Sequence, residues 1–207
     1  MIPNLLTSPA IFRHPPLLEA ARHGNAVEIQ RLLTGAVAPD LVLFGNALIK
    51  AAEFGHAHCL VLFLSHPLFP HTHARKISSE ALTAAVIENH AQCVQLLIPV
   101  TDSDGHYWGL QNAARTGHIQ CVKLLIDVGD PKAHNSQALQ LASMGFYDDC
   151  VDALLPVSEP EYALNYLKKN EKPECWQYLE YKMCEQQQRV LSAHVNGEPR
   201  VSSPRKM

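Results

Sequence analysis

The chain has 207 residues, of which 47% are hydrophobic and 18% are charged, so it can bury a sizeable core. Its formal net charge of -3 leaves no basic surplus to attract phosphate backbones, so we expect no nucleic-acid partner. No uninterrupted apolar run approaches the roughly 18 residues that a spanning helix needs, so we expect no membrane partner and a cytoplasmic location.

The predicted elements begin with an N-terminal extension, residues 1–14, in which prolines interrupt the apolar residues. We expect Ile11 and Phe12 to pack along the first helical unit, because the end of a repeat array needs a cover. A repeat array is then predicted over residues 15–172.

This array consists of one sequence pattern that recurs. Five segments follow it without gaps and a sixth follows it more weakly, with starts at Ala20, Ala51, Ala85, Ala113, Ala142 and Leu167. The starts lie 31, 34, 28, 29 and 25 residues apart, which is within the length of a two-helix repeat. The shorter spacing toward the C-terminus indicates that the connections between units are trimmed there.

Each segment predicts two helices, the first of them short, joined by a tight turn. A leucine lies three residues before every start, as Leu17 does before Ala20, so one helical face is apolar. The second helix repeats an apolar i, i+3, i+4 pattern, and neither face can be buried within one unit. Neighbouring units must therefore stack. The predicted turn residues, which tolerate a left-handed conformation, are Gly24, Gly55, Asn89 and Gly117.

The pattern is most complete in WGLQNAARTGHIQCVKLLI, from Trp108 to Ile126, and it closely resembles the ankyrin repeat. The resemblance implies an all-α fold, an ankyrin-type helical repeat solenoid with shortened hairpins. The family's Thr-Pro-Leu-His opening is replaced, for instance by the sequence of residues 46–49, so polar bonds between neighbouring units are lost. The segment 102–105 is similar to the Asp-rich hairpin that begins an ankyrin unit.

Five of the six cysteines fall at the same place in successive units, where the family has a buried aliphatic residue: Cys59, Cys93, Cys121, Cys150 and Cys175. Equivalent residues of stacked helices lie about 10 Å apart, too far for a disulfide or a shared zinc ion. We therefore predict that these thiols pack in the core. Cys184 has no assigned role.

Twelve histidines raise the question of a metal site. The resemblance places His56, His90 and His118 at turns, where an imidazole bridges neighbouring units by hydrogen bonding. His71 and His73 form a loop pair without a third ligand, so we expect no metal. The alternative function is an enzyme with a cryptic site in the His-rich loop near residues 66–73. Neither G-x-S-x-G, HExxH nor a phosphate-binding glycine loop occurs, so we expect no catalytic residue, no cofactor and no small-molecule substrate.

The C-terminal part of the chain begins with a predicted capping helix, residues 173–193. Trp176, Leu179 and Met183 lie on its apolar side, which suits it to cover the last unit. Residues 194–207 are polar, contain proline and lack periodicity, so we expect a disordered tail.

The resemblance implies a protein-protein interaction module or adaptor, because ankyrin arrays bind partner proteins in the groove beside their first helices. The residues before each turn face that groove, where Phe54 and Ile87 would supply apolar contacts. Tyr107 and Trp108 are candidate anchors, since Tyr and Trp dominate interface energetics. The predicted partner-binding residues are Arg22, His23, Glu53, Phe54, Ile87, Glu88, Tyr107, Trp108, Arg115 and Thr116.

Alternatives remain open for this surface. Phe54 and Ile87 would also satisfy the pattern if they packed beneath a neighbouring hairpin, and Trp108 if it covered the loop beside it. Residues 67–71 form a second candidate edge. The family includes host-cell regulators and effectors that intracellular bacteria deliver, so the cytoplasm of a host is a second expected location.

Overall fold

The computed structural model describes residues 16–35, 39–71 and 74–197. Over these residues the chain is all-helical and contains no strand, which confirms the all-α prediction for this part of the chain. The chain divides into two compact units, one of Met1–Ala113 with Gln120–Asp130 and the other of Ala114–Ile119 with Pro131–Met207. The array predicted over residues 15–172 includes residues of both units. The extension 1–14 and residues 198–207 of the expected tail lie outside the described residues.

Twelve α-helices follow one another along the described residues. They are α1 (Pro16–Arg22), α2 (Ala26–Leu33), α3 (Leu41–Glu53), α4 (Ala57–Ser65), α5 (Ala74–Ile87), α6 (Ala91–Leu97), α7 (Ser103–Thr116), α8 (Ile119–Leu125), α9 (Ala133–Met144), α10 (Asp148–Leu154), α11 (Pro160–Lys169) and α12 (Pro173–Gly197). Two 3-10 helices, Phe69–His71 and Ile98–Val100, follow α4 and α6. None of the helices in the described ranges is long and apolar enough to cross a membrane.

In the first unit, odd-numbered helices pack on odd-numbered helices, and even-numbered helices pack on even-numbered helices. Helix α1 contacts α3 and α3 contacts α5, while α2 contacts α4 and α4 contacts α6. Within each pair, α1 contacts α2, α3 contacts α4 and α5 contacts α6. We call α1, α3, α5 and α7 the first helices. Their predicted core leucines are all buried, and each contributes about 1.5–3 kcal/mol of transfer free energy; they are Leu17, Leu48, Leu82 and Leu110.

The predicted turns share one backbone conformation. The φ angles are 67°, 74°, 60° and 75° at Gly24, Gly55, Asn89 and Gly117. The N–H of Gly55 donates to Ala52 O at 3.2 Å, and the N–H of His56 donates to Ala51 O at 2.9 Å. This pair of bonds is a Schellman motif, which ends a helix by satisfying its last carbonyl groups. The left-handed turn predicted at these four residues is confirmed.

At the turns of two further segments, this conformation is adopted by residues that are neither glycine nor asparagine. Phe146 and Glu171 have φ angles of 55° and 52°, and they occupy the same place in the fifth and sixth segments. At the sixth segment, the N–H of Lys172 donates to Leu167 O at 3.1 Å, as in the other turns. The weakest segment in sequence therefore has the backbone geometry of the others.

Replacing Glu171 with glycine tests whether this turn is strained. Glu171→Gly is expected to stabilise the second unit by about 1 kcal/mol, because a left-handed conformation costs a residue with a Cβ about 1–2 kcal/mol. Glu171 is exposed, so the change removes little contact. Thermal unfolding followed by circular dichroism should show a Tm higher by roughly 2–4 °C. Glu174→Gly, within α12, should lower Tm instead, and a similar shift in both variants would contradict the explanation.

The first helices are longer than the sequence indicated. Helices α3, α5 and α7 contain 13, 14 and 14 residues, where a short helix and a trimmed hairpin were predicted. The segment 102–105, interpreted as a hairpin, leads directly into α7. Asp102 Oδ1 accepts the N–H of Gly105 at 3.0 Å, so this aspartate caps the helix. The hairpin interpretation of this segment is therefore wrong.

In the second unit, α12 lies against α9, α10 and α11. The core leucines of these helices are buried: Leu139, Leu154, Leu167 and Leu179. Helix α9 begins with a left-handed turn at residues 134–136, before the regular helix. Helix α12 continues to Gly197, past the expected end at residue 193 and into the segment expected to be disordered.

A buried lysine attaches α12 to α10. Lys182 is 6% exposed, and its Nζ lies 2.8 Å from Asp152 Oδ1 and 3.2 Å from Asp148 Oδ1. Tyr178 donates its hydroxyl to Asp148 Oδ1 at 2.8 Å. The Tyr178 hydroxyl and the Lys182 ammonium lower the pKa of Asp148. Burial acts to lower the pKa of Lys182, but its bonds to Asp152 and Asp148 outweigh burial and raise this pKa. We call these four residues the Lys182 cluster.

Candidate functional site

Histidines at the turns of the first unit bind the backbone of the preceding helix pair. His56 Nε2–H donates to Arg22 O at 3.0 Å, and His90 Nε2–H donates to Glu53 O at 3.1 Å. A carbonyl oxygen only accepts, so Nε2 carries the proton in each ring. The prediction that these two imidazoles bridge neighbouring repeats is confirmed. In the second unit, the Nδ1 of His118 lies 3.0 Å from the hydroxyl of Thr116 in the same turn.

The same rings lie directly against the turn glycines. A Cβ atom on Gly24 would lie 2.6 Å from His56 Nδ1, and one on Gly55 would lie 2.5 Å from His90 Nδ1. In the second unit, Tyr147 takes this place, and its ring would lie 2.5 Å from a Cβ on Gly117. Two features thus require glycine at these positions. One is the positive φ, and the other is the ring of the next repeat, which leaves no room for a Cβ atom.

Three depressions lie between successive first helices of the first unit. The α1–α3 depression has a volume of about 270 Å³ and is lined by Leu18, Glu19, Arg22, Lys50, Glu53 and Phe54. The α3–α5 depression, of about 480 Å³, is lined by Asp40, Leu41, Val42, Asn46, Ile49, Lys76, Ile77 and Glu80. The α5–α7 depression, of about 400 Å³, is lined by Lys76, Ser79, Glu80, Thr83, Ala84, Ile87, Gly105 and Trp108. We call the surface formed by the three depressions the first-helix face.

The structure brings two of the predicted binding residues together. Ile87 and Trp108 are 39% and 56% exposed, and both line the α5–α7 depression. Within the described residues, these exposures show that Ile87 is not buried beneath a hairpin and that Trp108 is not buried against the loop beside it. Tyr107 is half-buried, and its ring centroid lies 5.1 Å from that of Trp108 at an interplanar angle of 66°. Tyr107 therefore supports the Trp108 ring rather than presenting an exposed anchor of its own.

Three other predicted residues, Arg22, Glu53 and Phe54, line the α1–α3 depression. The Arg22 guanidinium carbon lies 5.5 Å from the centroid of the Phe54 ring, a cation–π contact. Glu53 is half-buried, and Lys50 Nζ lies 2.6 Å from its Oε2. His23 is exposed and its Nε2 lies 3.3 Å from Glu19 Oε2. The α1–α3 depression is thus more polar than the α5–α7 depression.

Five of the ten predicted residues line none of the three depressions: His23, Glu88, Tyr107, Arg115 and Thr116. Glu88 is exposed and follows Ile87 at the end of α5. Arg115 is exposed and Thr116 is half-buried, and both belong to the second unit. The first-helix face contains residues of the first unit only. The ten predicted residues therefore do not all lie on it.

Sequence reasoning missed the apolar residues at the start of α3. Leu41 and Val42 are 39% and 67% exposed and line the α3–α5 depression together with Ile49. A signal was present, because Val42, Asn46, Ile49 and Glu53 recur at intervals of three or four residues and so share one helical face. The assumption of a short first helix excluded Leu41 and Val42 from that face.

The cysteines predicted to pack in the core are buried in both units. Cys59, Cys93 and Cys121 are fully buried in the first unit, and Cys150 and Cys175 are buried in the second. Burial raises the pKa of Cys93 and that of Cys121 to about 11. The thiols of Cys93 and Cys121 are therefore protonated at neutral pH. Burial of all five side chains confirms the prediction of a packing role.

In the described part of the His-rich loop, His66 contacts residues of the first unit. The His66 ring lies 5.5 Å from the Phe44 ring, and its Nδ1 accepts the N–H of Leu68 at 3.2 Å. Phe69 is buried, so it does not serve as an apolar edge for a partner as predicted. The side chains of His71 and His73 lie outside the described residues. Within residues 16–35, 39–71 and 74–197, no three His, Cys, Asp or Glu side chains are placed to hold a metal ion.

Comparison with known proteins gives no assignment for the chain. No protein-family model matches it, and no curated protein shows significant similarity to it.

Proposed function

We propose that the protein is an ankyrin-type repeat protein that binds a partner protein through the first-helix face. Three features support the family. First helices pack on first helices and second helices on second helices in the first unit. A Schellman turn recurs at the same place in successive segments. Imidazoles at these turns donate to the backbone of the preceding pair.

The exposed pair Ile87 and Trp108 carries the proposal of partner binding. An exposed tryptophan beside an exposed isoleucine is unfavourable in water, and both line one depression large enough for a side chain. Tryptophan is enriched among the residues that contribute most to binding free energy. The half-buried Tyr107 ring restricts Trp108, which lowers the entropy lost when a partner binds.

The charges on the first-helix face favour a protein over a nucleic acid. Acidic and basic side chains alternate along it, and neither sign dominates as a phosphate backbone would require. These side chains are Glu19, Arg22, Asp40, Lys50, Glu53, Lys76 and Glu80. A partner segment that spans the depressions would place apolar side chains against Trp108 and Ile87 and charges of both signs beside them. We assign such an adaptor to the cytoplasm of the producing cell or, for a delivered effector, to that of a host.

The test compares two variants that each remove one exposed apolar side chain. Trp108→Ala is expected to weaken partner binding about tenfold or more, because a truncated interface anchor costs more than about 1 kcal/mol. Phe54→Ala, at the more polar depression, should have a smaller effect. Affinity capture with quantitative mass spectrometry would identify the partner, and titration calorimetry would then give Kd for each variant.

The matched control is Val61→Ala, on the second helix α4, where the side chain is 49% exposed and outside the first-helix face. It should leave Kd unchanged. Thermal unfolding of each variant verifies that the fold is retained. Equal Kd values for Trp108→Ala and the wild type would rule out the first-helix face as the binding surface.

A further inference from the structure

Helix α12 carries a stripe of exposed side chains along its outer side. The stripe consists of Tyr181, Cys184, Gln188 and Leu191. Tyr181 and Leu191 are 65% and 66% exposed, although both side chains are large and mainly apolar. Cys184 is exposed, whereas the other five cysteines are buried. We call these four residues the α12 stripe.

The α12 stripe lies opposite the side of α12 that packs in the second unit. Successive residues of an α-helix differ by about 100° around its axis, so the four side chains of the stripe lie within about 80° of one another. Leu179 and Lys182 project from the opposite side, and both are buried. That side packs on α9, α10 and α11. A further helix can therefore approach the stripe without displacing the rest of the second unit.

The spacing of the α12 stripe is typical of a helix that pairs with another helix. Its residues follow one another at intervals of three, four and three, the spacing of the a and d positions of a heptad. This series reads the same in both directions. In an antiparallel pair of identical helices, a two-fold axis at the level of Gln186 therefore places Tyr181 of one copy at the level of Leu191 of the other. Cys184 and Gln188 meet in the same way, a small side chain with a long one.

The charges beside the α12 stripe are compensated within the chain. Lys168 Nζ lies 2.7 Å from Glu180 Oε1, and Glu185 forms ion pairs with Arg189 and Lys182. The four residues of the stripe carry no charge at neutral pH. Two copies can therefore meet here without bringing uncompensated like charges together, whereas a strongly charged partner would find no free opposite charge. The stripe thus fits a second copy of itself.

We propose that α12 pairs with α12 of a second copy of the chain, antiparallel and about a two-fold axis. Tyr181 and Leu191 of each copy lose their exposure to water in this contact. The stripe is about 15 Å long, which makes the interface small, so the dimer is in equilibrium with the monomer and has a Kd on the order of 10 μM. The stripe belongs to the second unit and includes no residue of the first-helix face, so this proposal does not rest on the proposed partner binding.

The experiment measures the mass of the full chain by sedimentation equilibrium from about 1 μM to about 1 mM. The wild type should change from monomer to dimer over this range. Tyr181→Lys and Leu191→Glu should each raise the dimer Kd about tenfold or more, because each places an unpaired charge in the interface.

An equimolar mixture of these two variants should recover association to within about threefold of the wild-type Kd, because the new ammonium then lies at the level of the new carboxylate. A parallel pair would place the two new groups at different levels, and the mixture would not recover. The mixture therefore tests the antiparallel register itself.

The matched control is Tyr162→Lys, on α11 of the same unit, where the side chain is 54% exposed. It should associate like the wild type, and circular dichroism of each variant verifies that the helices are retained. A wild type that stays monomeric up to about 1 mM would overturn the proposal. Unchanged association in Tyr181→Lys and Leu191→Glu, an equal loss in Tyr162→Lys, or no recovery in the mixture would each overturn it as well.

Discussion

Gly55→Ala is expected to lower the free energy of unfolding by about 3 kcal/mol, since a left-handed residue with a Cβ costs about 1–2 kcal/mol and a lost hydrogen bond about 1 kcal/mol more. The φ of Gly55 is +74°, and a Cβ there would lie 2.5 Å from His90 Nδ1. The His90 ring would have to move away from the turn. Its bond to Glu53 O, 3.1 Å long in the wild type, would then break.

Urea unfolding and thermal unfolding of the wild type and Gly55→Ala, each followed by circular dichroism, measure the change. A Tm lower by about 6–12 °C should accompany the change in free energy. Gly35→Ala is the matched control, because Gly35 has no positive φ and a Cβ there would meet only backbone oxygens at 3.4 and 3.5 Å. It should change stability by less than about 0.5 kcal/mol. If both variants unfold at the same urea concentration, the ring does not restrict the turn.

Lys182→Met is expected to destabilise the second unit by about 2–3 kcal/mol, less than the loss of a fully buried ion pair because the carboxylates are partly exposed. Lys182 is 6% exposed, whereas Asp148 and Asp152 are 70% and 35% exposed. Removing the ammonium leaves the carboxylate of Asp148 without its cation, whereas Asp152 keeps Arg189 Nη1 at 3.3 Å. Lys168→Met is the control, since its partner Glu180 and Lys168 itself are both exposed and such pairs contribute about 0–1 kcal/mol.

The effect of Lys182→Met should depend on pH. The folded-state pKa of Asp148 is depressed, first by the Tyr178 hydroxyl and then by Lys182. A depressed carboxyl pKa stabilises the folded state above the unfolded pKa, about 3.9, and this stabilisation is lost as pH falls through the lower folded value. The difference between wild type and variant should therefore be constant near neutral pH and shrink below about pH 4. Urea unfolding at pH 7 and at pH 3 measures it, and a difference that does not change with pH would exclude the ion pairs as its cause.

Features set by local chemistry could be predicted from the sequence. The turns at Gly24, Gly55 and Gly117 follow from the backbone freedom of glycine, and the buried cysteines follow from their constant place in the pattern. Phe146 and Glu171 could not be predicted as left-handed residues, because nothing in their side chains favours that conformation. The repeat register imposes it on them through the Schellman hydrogen bonds.

The binding surface was only partly predictable. Ile87 and Trp108 could be named from their types and positions, but their place in one depression depends on how α5 and α7 approach each other. Leu41 and Val42 were missed because the length of α3 depends on stacking rather than on local propensity. Lys182 was missed for a similar reason, since a lysine on a helix is usually solvated and its burial requires the acidic residues of α10.

The contact of a ring with a turn glycine links residue types at distant positions in the sequence. Gly24 is paired with His56, Gly55 with His90 and Gly117 with Tyr147. A larger residue in one of these turns displaces the ring that lies over it, so substitutions at the two positions are expected to be coupled. A duplicated unit brings a turn and a ring that fit each other, because both derive from the same pattern. Because of this contact, a whole repeat is easier to add or remove than a single turn residue is to replace.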